Sequence, residues 1–453
     1  MASEPTLVQS LRSTLRGGVV GNADPDFESL RRVWNAAIDR RPVAIARCAD
    51  ARDVQLALAA AREHGVRVTV RGGGHNVAGL ALQDGALLLD LAPMRGVDVN
   101  AALRVAVVEG GALWSDVDAA TSAAGLATTG GLISGTGVGG FTLGGGAGWL
   151  MRRFGLACDN LLAADIVLAD GRCLHVSEEQ EPDLFWGLRG GAGGFGVVTR
   201  LELQLHPVSQ VLAGLVVYPG TESAAVLRCL RDTCLEAPDE FCGLAVLATA
   251  PPFPFLDAAW HGRSVCVLAV CWSGELATGE RMLEPLRHAG QALADVIHPL
   301  PYAQWQGMLD PSAPPGRSQY WKSVNFSSLD DATIDLLVAA AQTRPTPLTE
   351  IHLQHLGGAV ARVPASACAF GHRDAAFFVN LLGTTTEPAG FDPMRSWIRE
   401  LHARLSSRAL PGQMPNFSGA DDLDSIGRFG AAHATRLQAL RARLDPDKLF
   451  ASY

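Results

Sequence analysis

Glycine gathers at two places in this chain. Ten of the nineteen residues from Gly130 to Gly148 are glycine, and Arg71-Gly-Gly-Gly-His75 forms a second cluster upstream. Glycine loses more backbone entropy on folding than any other residue, so a packed protein keeps it where φ is positive or where bare backbone must come close to something. Successive peptide N–H groups without Cβ atoms around them form a concave nest for anions. No Gly-Lys-Ser/Thr follows Gly74, and neither the spacing nor a following helix fits a dinucleotide fingerprint. The clusters point instead to a large anionic cofactor laid along bare backbone.

Composition narrows the rest. At 453 residues the chain is longer than a single core usually grows, so two domains are expected, and 48% hydrophobic against 18% charged residues gives a well-packed globular protein. A net charge of −9 with no Lys/Arg-rich stretch excludes a general nucleic-acid binder and leaves a small molecule as the partner. The N-terminus lacks a basic segment followed by an apolar run, and no apolar stretch reaches membrane-span length, so no membrane association and a cytoplasmic location are expected. Nine scattered cysteines without a Cys-x-x-Cys pair indicate neither a disulfide framework nor a metal site.

The pattern reads as alternating short strands and helices. Asp50 is placed to cap a helix through Val54, Leu56 and Ala60 that stops at Gly65, and residues 66–70 form a strand that delivers Arg71 and the triple glycine at its carboxyl end. Further strands fall at 87–91, 105–109, 166–169, 173–176 and 197–205. A helix over 113–124 is stopped by Gly125, and Asp170-Gly171 is a hairpin signal. Beyond His206-Pro207 the glycine clusters end, and strands at 264–271, 349–356 and 377–382 alternate with helices such as 332–343. A last helix through His433 and Leu440 is stopped by Asp445-Pro446.

Several motifs occur in one order: Pro42-Val43, Asp50-Ala-Arg-Asp-Val54, Arg71-Gly-Gly-Gly-His-Asn76, Gly139-Gly-Phe-Thr-Leu-Gly-Gly-Gly-Ala-Gly-Trp149, Gly155-Leu-Ala-Cys-Asp-Asn160 and Ala169-Asp-Gly171. This order is similar to the FAD-binding domain of the vanillyl-alcohol oxidase and p-cresol methylhydroxylase superfamily. With Leu188-Arg-Gly-Gly191, Phe195-Gly-Val-Val-Thr199, Gly357-Gly358, Ala369-Phe-Gly-His-Arg373 and Leu444-Asp-Pro-Asp-Lys-Leu-Phe450, nearly the whole chain resembles the berberine bridge enzyme-like oxidoreductases. The resemblance implies an α+β fold of two domains. Residues 1–207 would form the FAD-binding domain, with its p-cresol methylhydroxylase-type core at about 38–207. Residues 208–410 would form an α/β substrate domain with a largely antiparallel sheet, and residues 411–453 would return to the FAD domain.

It further implies FAD bound covalently through His75, whose neutral imidazole is a competent nucleophile toward the flavin 8α carbon. Relatives with a second link carry cysteine where this chain has Ile133, so a monocovalent cofactor is expected. Arg71, Gly72, Gly73, Gly74 and Asn76 surround the attachment point. Backbone donors from Thr129, Gly130 and Gly131 through Gly137, Val138, Gly139 and Gly140, with the Ser134 hydroxyl, would hold the pyrophosphate and ribityl chain. Leu143, Gly144, Gly148 and Trp149 would lie against the cofactor, Asp159 and Val167 nearby with Val167 toward the adenine, and Asn416 against the flavin. Val138 stands where oxygen-reactive relatives often carry a small side chain.

Two departures from the family matter. Gly194 replaces the asparagine of Gly-Gly-Asn-Phe-Gly. Met414-Pro-Asn416 replaces Tyr-x-Asn, and a methionine cannot act as the base. On the strand through Glu350-Ile-His-Leu-Gln-His355, period-2 alternation puts Glu350, His352 and Gln354 on one face, and in relatives the corresponding sheet roofs the flavin. A proton-handling surface and a solvated polar face both fit this pattern. Tyr320 is the other candidate base, while the His372-Arg373 pair reads as domain packing, and Trp305, Trp321 and Phe417 as core or pocket lining. The implied activity is removal of a hydride from an alcohol, sugar or natural-product intermediate to flavin N5, with O2 as acceptor. A dehydrogenase, an oxygenating enzyme with the same covalent FAD, and a flavin-binding protein without turnover are the alternatives.

Overall fold

The computed structural model describes residues 4–419, 421, 422 and 424–451. The local signals act where the sequence puts them. Asp50 accepts a hydrogen bond from the Asp53 N–H at 3.0 Å, the helix Ala51–Glu63 follows, and Gly65 ends it at φ +64°. The Val66 N–H still bonds back to Ala61, which delays the next strand to Val68–Arg71 and draws Arg71 into it. The Asp170-Gly171 turn joins Leu161–Val167 to Cys173–Ser177 through a five-residue loop in which Gly171 takes φ +89°.

Among the described residues the strands form four sheets. The first runs Val19–Gly21, Ala44–Arg47, Leu87–Asp90, Val68–Arg71, with its last three strands parallel. The second is antiparallel: Val97–Asn100, Val105–Glu109, Val197–Gln204, Leu161–Val167, Cys173–Ser177. A two-stranded ribbon pairs His206–Pro207 with Leu126–Ala127. The largest sheet, built between residues 210 and 385, is antiparallel throughout and includes Phe241–Thr249, Glu350–His355, Phe377–Thr385 and Ser318–Phe326 side by side. The chain end returns to the first sheet, where Val68 N–H bonds to Leu449 and Ala451 N–H to Val68.

Both faces of the largest sheet are covered, so each of its strands sorts its residues between two cores. One face packs under helices Ser223–Glu236, Leu276–Arg287, Asp331–Ala341 and Phe391–Ser406, with Tyr320, Val324, Ile351 and Leu353 in that layer. The other face packs on Trp149 and Met151 of the first half of the chain, with Trp305, Phe370 and Met414 in the same layer. Toward one end this second layer opens into a cleft.

Candidate active site

The glycine clusters meet each other across the cleft floor. A Cβ on Gly73 would lie 2.4 Å from Gly137 N, and one on Gly137 would lie 2.3 Å from Gly73 N, so the two loops pack backbone to backbone. Beyond this seam lies a cleft of about 340 Å³. Gly72, Gly73, Gly74, Gly131, Gly137, Gly139, Gly140 and Gly144 line its floor with Asn76 and Leu143, and Gly193 and Gly194 line a side wall. Where a Cβ would project from Gly140 or Gly193 there is open space.

His75 sits at the floor, its ring stacked on Trp34 at 4.8 Å, with no hydrogen-bond partner among the described residues. Burial lowers its pKa to about 4, and the negative charge of Asp310 counters part of that shift. The ring is therefore neutral at pH 7, as a nucleophilic nitrogen must be. Ile133 lines the same cleft.

The roof comes from the large sheet. Glu350 and His352 line the cleft, 2.8 Å apart from Oε2 to Nε2, while Ile351 and Leu353 point into the helical layer as the alternation predicts. Asn380, paired in register with His352, is almost completely buried, and its Oδ1 has no partner among the described residues. Gln319 and Thr384 complete this polar patch, the Thr384 hydroxyl donating to Gln319 Oε1 at 2.6 Å. Trp321 and Phe417 face the cleft, whereas Trp305 is fully buried against Trp149.

Several expected site residues lie elsewhere. Tyr320 is on the opposite face of its strand from Trp321: its hydroxyl donates to Asp421 and accepts from Arg399, and burial pushes the phenol well above its ordinary range. Gln354 shares the face of His352 but is buried two residues further on, beyond the cleft, with Nε2 unpaired among the described residues. Arg71 turns away from the cofactor side to pair with Asp90 and to cap the Leu30 and Arg32 carbonyls. The Ser134 amide and hydroxyl are both taken by Asp310, at 2.8 and 2.5 Å.

Thr129 donates to the Gly155 carbonyl, and Gly130 and Gly148 are bare for packing: a Cβ on Gly148 would fall 1.7 Å from Gly130 O, and one on Gly130 would fall 2.6 Å from Gln306 Nε2 and 3.0 Å from the Trp114 ring. Trp149 is core, and so is Val138, whose N–H bonds to Ala112, so Val138 presents no side chain to the cleft. Val167 is likewise core, in the layer with Val68 and Val197. Asp159 is bound on both oxygens by Arg373, a buried pair that joins the two halves of the chain. Arg373 thus has the packing role expected of it, and its neighbour His372 bonds to the Arg428 carbonyl. Asn416 lines the cleft and ties its own segment down, accepting from Gly146 N–H and donating to the Phe141 carbonyl. Met414 is fully buried.

Three cleft residues had weak sequence signals. Asn380 is the single amide in the apolar run Phe377–Leu381, a pattern break that marks it, whereas Trp34 and Arg428 reach the cleft from distant segments. Arg428 is 2% exposed, has no carboxylate partner among the described residues, and burial lowers its pKa to about 10.

The residues present fit FAD. Bare backbone with open space at Gly140 and Gly193, a neutral histidine at the floor, and a buried guanidinium without a carboxylate in ion-pair contact among the described residues are what a flat ring on an anionic tail requires.

Comparison with known proteins agrees. The FAD binding domain family model matches residues 42–177. The (R)-6-hydroxynicotine oxidase of Paenarthrobacter nicotinovorans is 29% identical over 453 residues, covering 96% of each chain. The crystal structure of 6-hydroxy-D-nicotine oxidase from Arthrobacter nicotinovorans superposes with a TM-score of 0.84 at 26% identity, covering 97% of each chain. BBE-like 1 of Physcomitrella patens shares the fold at a TM-score of 0.89 and 21% identity, covering 98% of this chain and 97% of the other. Residues 42–177 therefore carry an FAD binding domain, and the chain as a whole is similar to FAD-linked oxidoreductases and shares the fold of the berberine bridge enzyme-like proteins.

Proposed function

We propose that this FAD-dependent oxidoreductase is an oxidase for a small organic substrate that carries an O–H or N–H beside the reacting C–H bond. The observation that carries this reading is the Glu350–His352 pair, set in a roof that faces a glycine-lined floor holding His75. With Nε2–H donated to Glu350, the His352 Nδ1 keeps the free lone pair, and Glu350 stabilises the imidazolium once it forms. His352 then takes the substrate O–H or N–H proton, while Asn380 Oδ1 and the Gln319–Thr384 pair orient the substrate. The side chains of Trp34, Trp321 and Phe417 supply apolar walls that exclude water.

FAD bound there would supply a two-electron acceptor at N5 that dioxygen could reoxidise with formation of hydrogen peroxide. His75 anchors it through a single covalent bond, since Ile133 offers no thiol for a second one. Residues 1–207 serve as the FAD domain, 208–410 as the substrate domain and 411–453 as the returning segment, and the protein acts in the cytoplasm. Support for an oxidase comes from the nicotine oxidase relative, which is an oxidase by name. The test is anaerobic reduction by an alcohol, sugar and cyclic-amine panel, followed by stopped-flow mixing with oxygen. Reoxidation faster than turnover is expected, and slow reoxidation with rapid electron transfer to a dye would make the protein a dehydrogenase.

A further inference from the structure

Asp310 begins a short turn, Asp310–Ser312, directly after Leu309 on the cleft wall. Its carboxylate crosses from the substrate half to residue 134: Oδ1 accepts the Ser134 N–H at 2.8 Å and Oδ2 the Ser134 hydroxyl at 2.5 Å. These two hydrogen bonds fix the turn that carries Ile133 on one side and Gly135 on the other. Gly135 backs onto His75, where a Cβ would stand 3.8 Å from Nε2. The imidazole is thus held between that turn and Trp34, and packing alone orients it. No Lys or Arg neutralises Asp310 among the described residues, so its charge remains available to the imidazole.

We propose that Asp310 is the positioning residue for attachment of FAD to His75, so that a residue of the substrate half controls a bond made in the FAD half. This rests on the covalent-link reading above. Attachment breaks one C–H bond of the 8α methyl and the imidazole N–H and forms one N–C bond. Two electrons and two protons stay on the flavin, and dioxygen removes them as hydrogen peroxide. Positive charge builds on the imidazole as the N–C bond forms and before the N–H proton leaves. A fixed carboxylate nearby offsets that charge without reorganising.

The experiment follows acid-stable flavin fluorescence after FAD is added to protein purified from riboflavin-starved cells. The rate is read only on the fraction that has bound FAD. Asp310→Asn keeps the shape and one acceptor but removes the charge, and attachment is expected to slow at least tenfold. Ser134→Ala keeps the charge and the backbone bond, and attachment is expected to stay within threefold of the wild-type rate. Wild-type kinetics in Asp310→Asn, or equal slowing in both variants, would overturn the proposal. If even the wild type yields only acid-extractable flavin, the covalent-link reading itself falls, a result distinct from equal attachment in wild type and variant.

Discussion

Gly137→Ala and Gly140→Ala, three residues apart, separate the two jobs of the long glycine run. Gly137 has φ −68° and ψ 131°, a conformation any residue adopts, so an added methyl costs nothing in backbone strain. It would, however, lie 2.3 Å from Gly73 N and 2.8 Å from Gly73 Cα, both backbone atoms that no rotamer change can move. Overpacking costs about 1–3 kcal/mol, and two backbone overlaps put this site near the top of that range. For a cooperative unit of about 200 residues, ~3 kcal/mol lowers Tm by about 6–12 °C. Gly140 meets nothing within 4 Å, so alanine there should leave the flavin-free Tm within about 2 °C, the effect of a neutral surface change. Its methyl points into the cleft and should instead lower flavin per chain. The assay is a thermal melt of both variants with and without FAD, alongside flavin-to-protein absorbance. A wild-type Tm for Gly137→Ala would refute backbone packing between the clusters, and full flavin loading of Gly140→Ala would refute the cradle.

Other expectations follow from the same contacts. His352→Ala should slow flavin reduction by substrate about a hundredfold or more while keeping FAD bound, measured by anaerobic stopped flow. Tyr320→Phe should leave that rate within about twofold and cost about 1 kcal/mol in urea unfolding, because its hydroxyl faces Asp421 and Arg399 rather than the cleft. Asp159→Asn leaves Arg373 buried without its counter-charge and should lower the urea midpoint by the equivalent of about 3–5 kcal/mol. Burial lowers the pKa of both His75 and His206 to about 4. Between about pH 6.5 and pH 4 the unfolded chain therefore binds more protons than the native one, and the stability of flavin-free protein should fall as pH drops through that window. Urea midpoints at pH 7, 5.5 and 4 would show it, and a flat profile would contradict it.

Much of this was legible because it rests on local rules. Asp50 and Gly65 bracket their helix by capping chemistry alone, and the alternation of Glu350, Ile351, His352 and Leu353 survives because one neighbouring layer is apolar. The register of Arg71–Asn76 with the later glycine run located the cleft floor. What the sequence could not supply was the direction of each side chain within a matched motif. Arg71, Ser134 and Asp159 sit where the family places cofactor contacts, yet Asp90, Asp310 and Arg373, each distant in sequence, claim them. Tyr320 and Trp321 differ by one residue on a strand covered on both faces, and only the packed sheet decides which of the two meets the cleft. Gly148 is small because the Gly130 carbonyl lies against it, and Gly130 because Gln306 and Trp114 do, rather than for a ligand.

The central claim is one FAD joined to the chain through His75 and nowhere else. Trypsin releases His75 within residues 72–95, so mass spectrometry of the acid-precipitated, digested holoprotein reads it directly. The account predicts that this peptide carries the mass of one FAD and that every cysteine peptide is unmodified. An unmodified 72–95 peptide with all flavin in the acid supernatant, or flavin on a cysteine peptide, would contradict it.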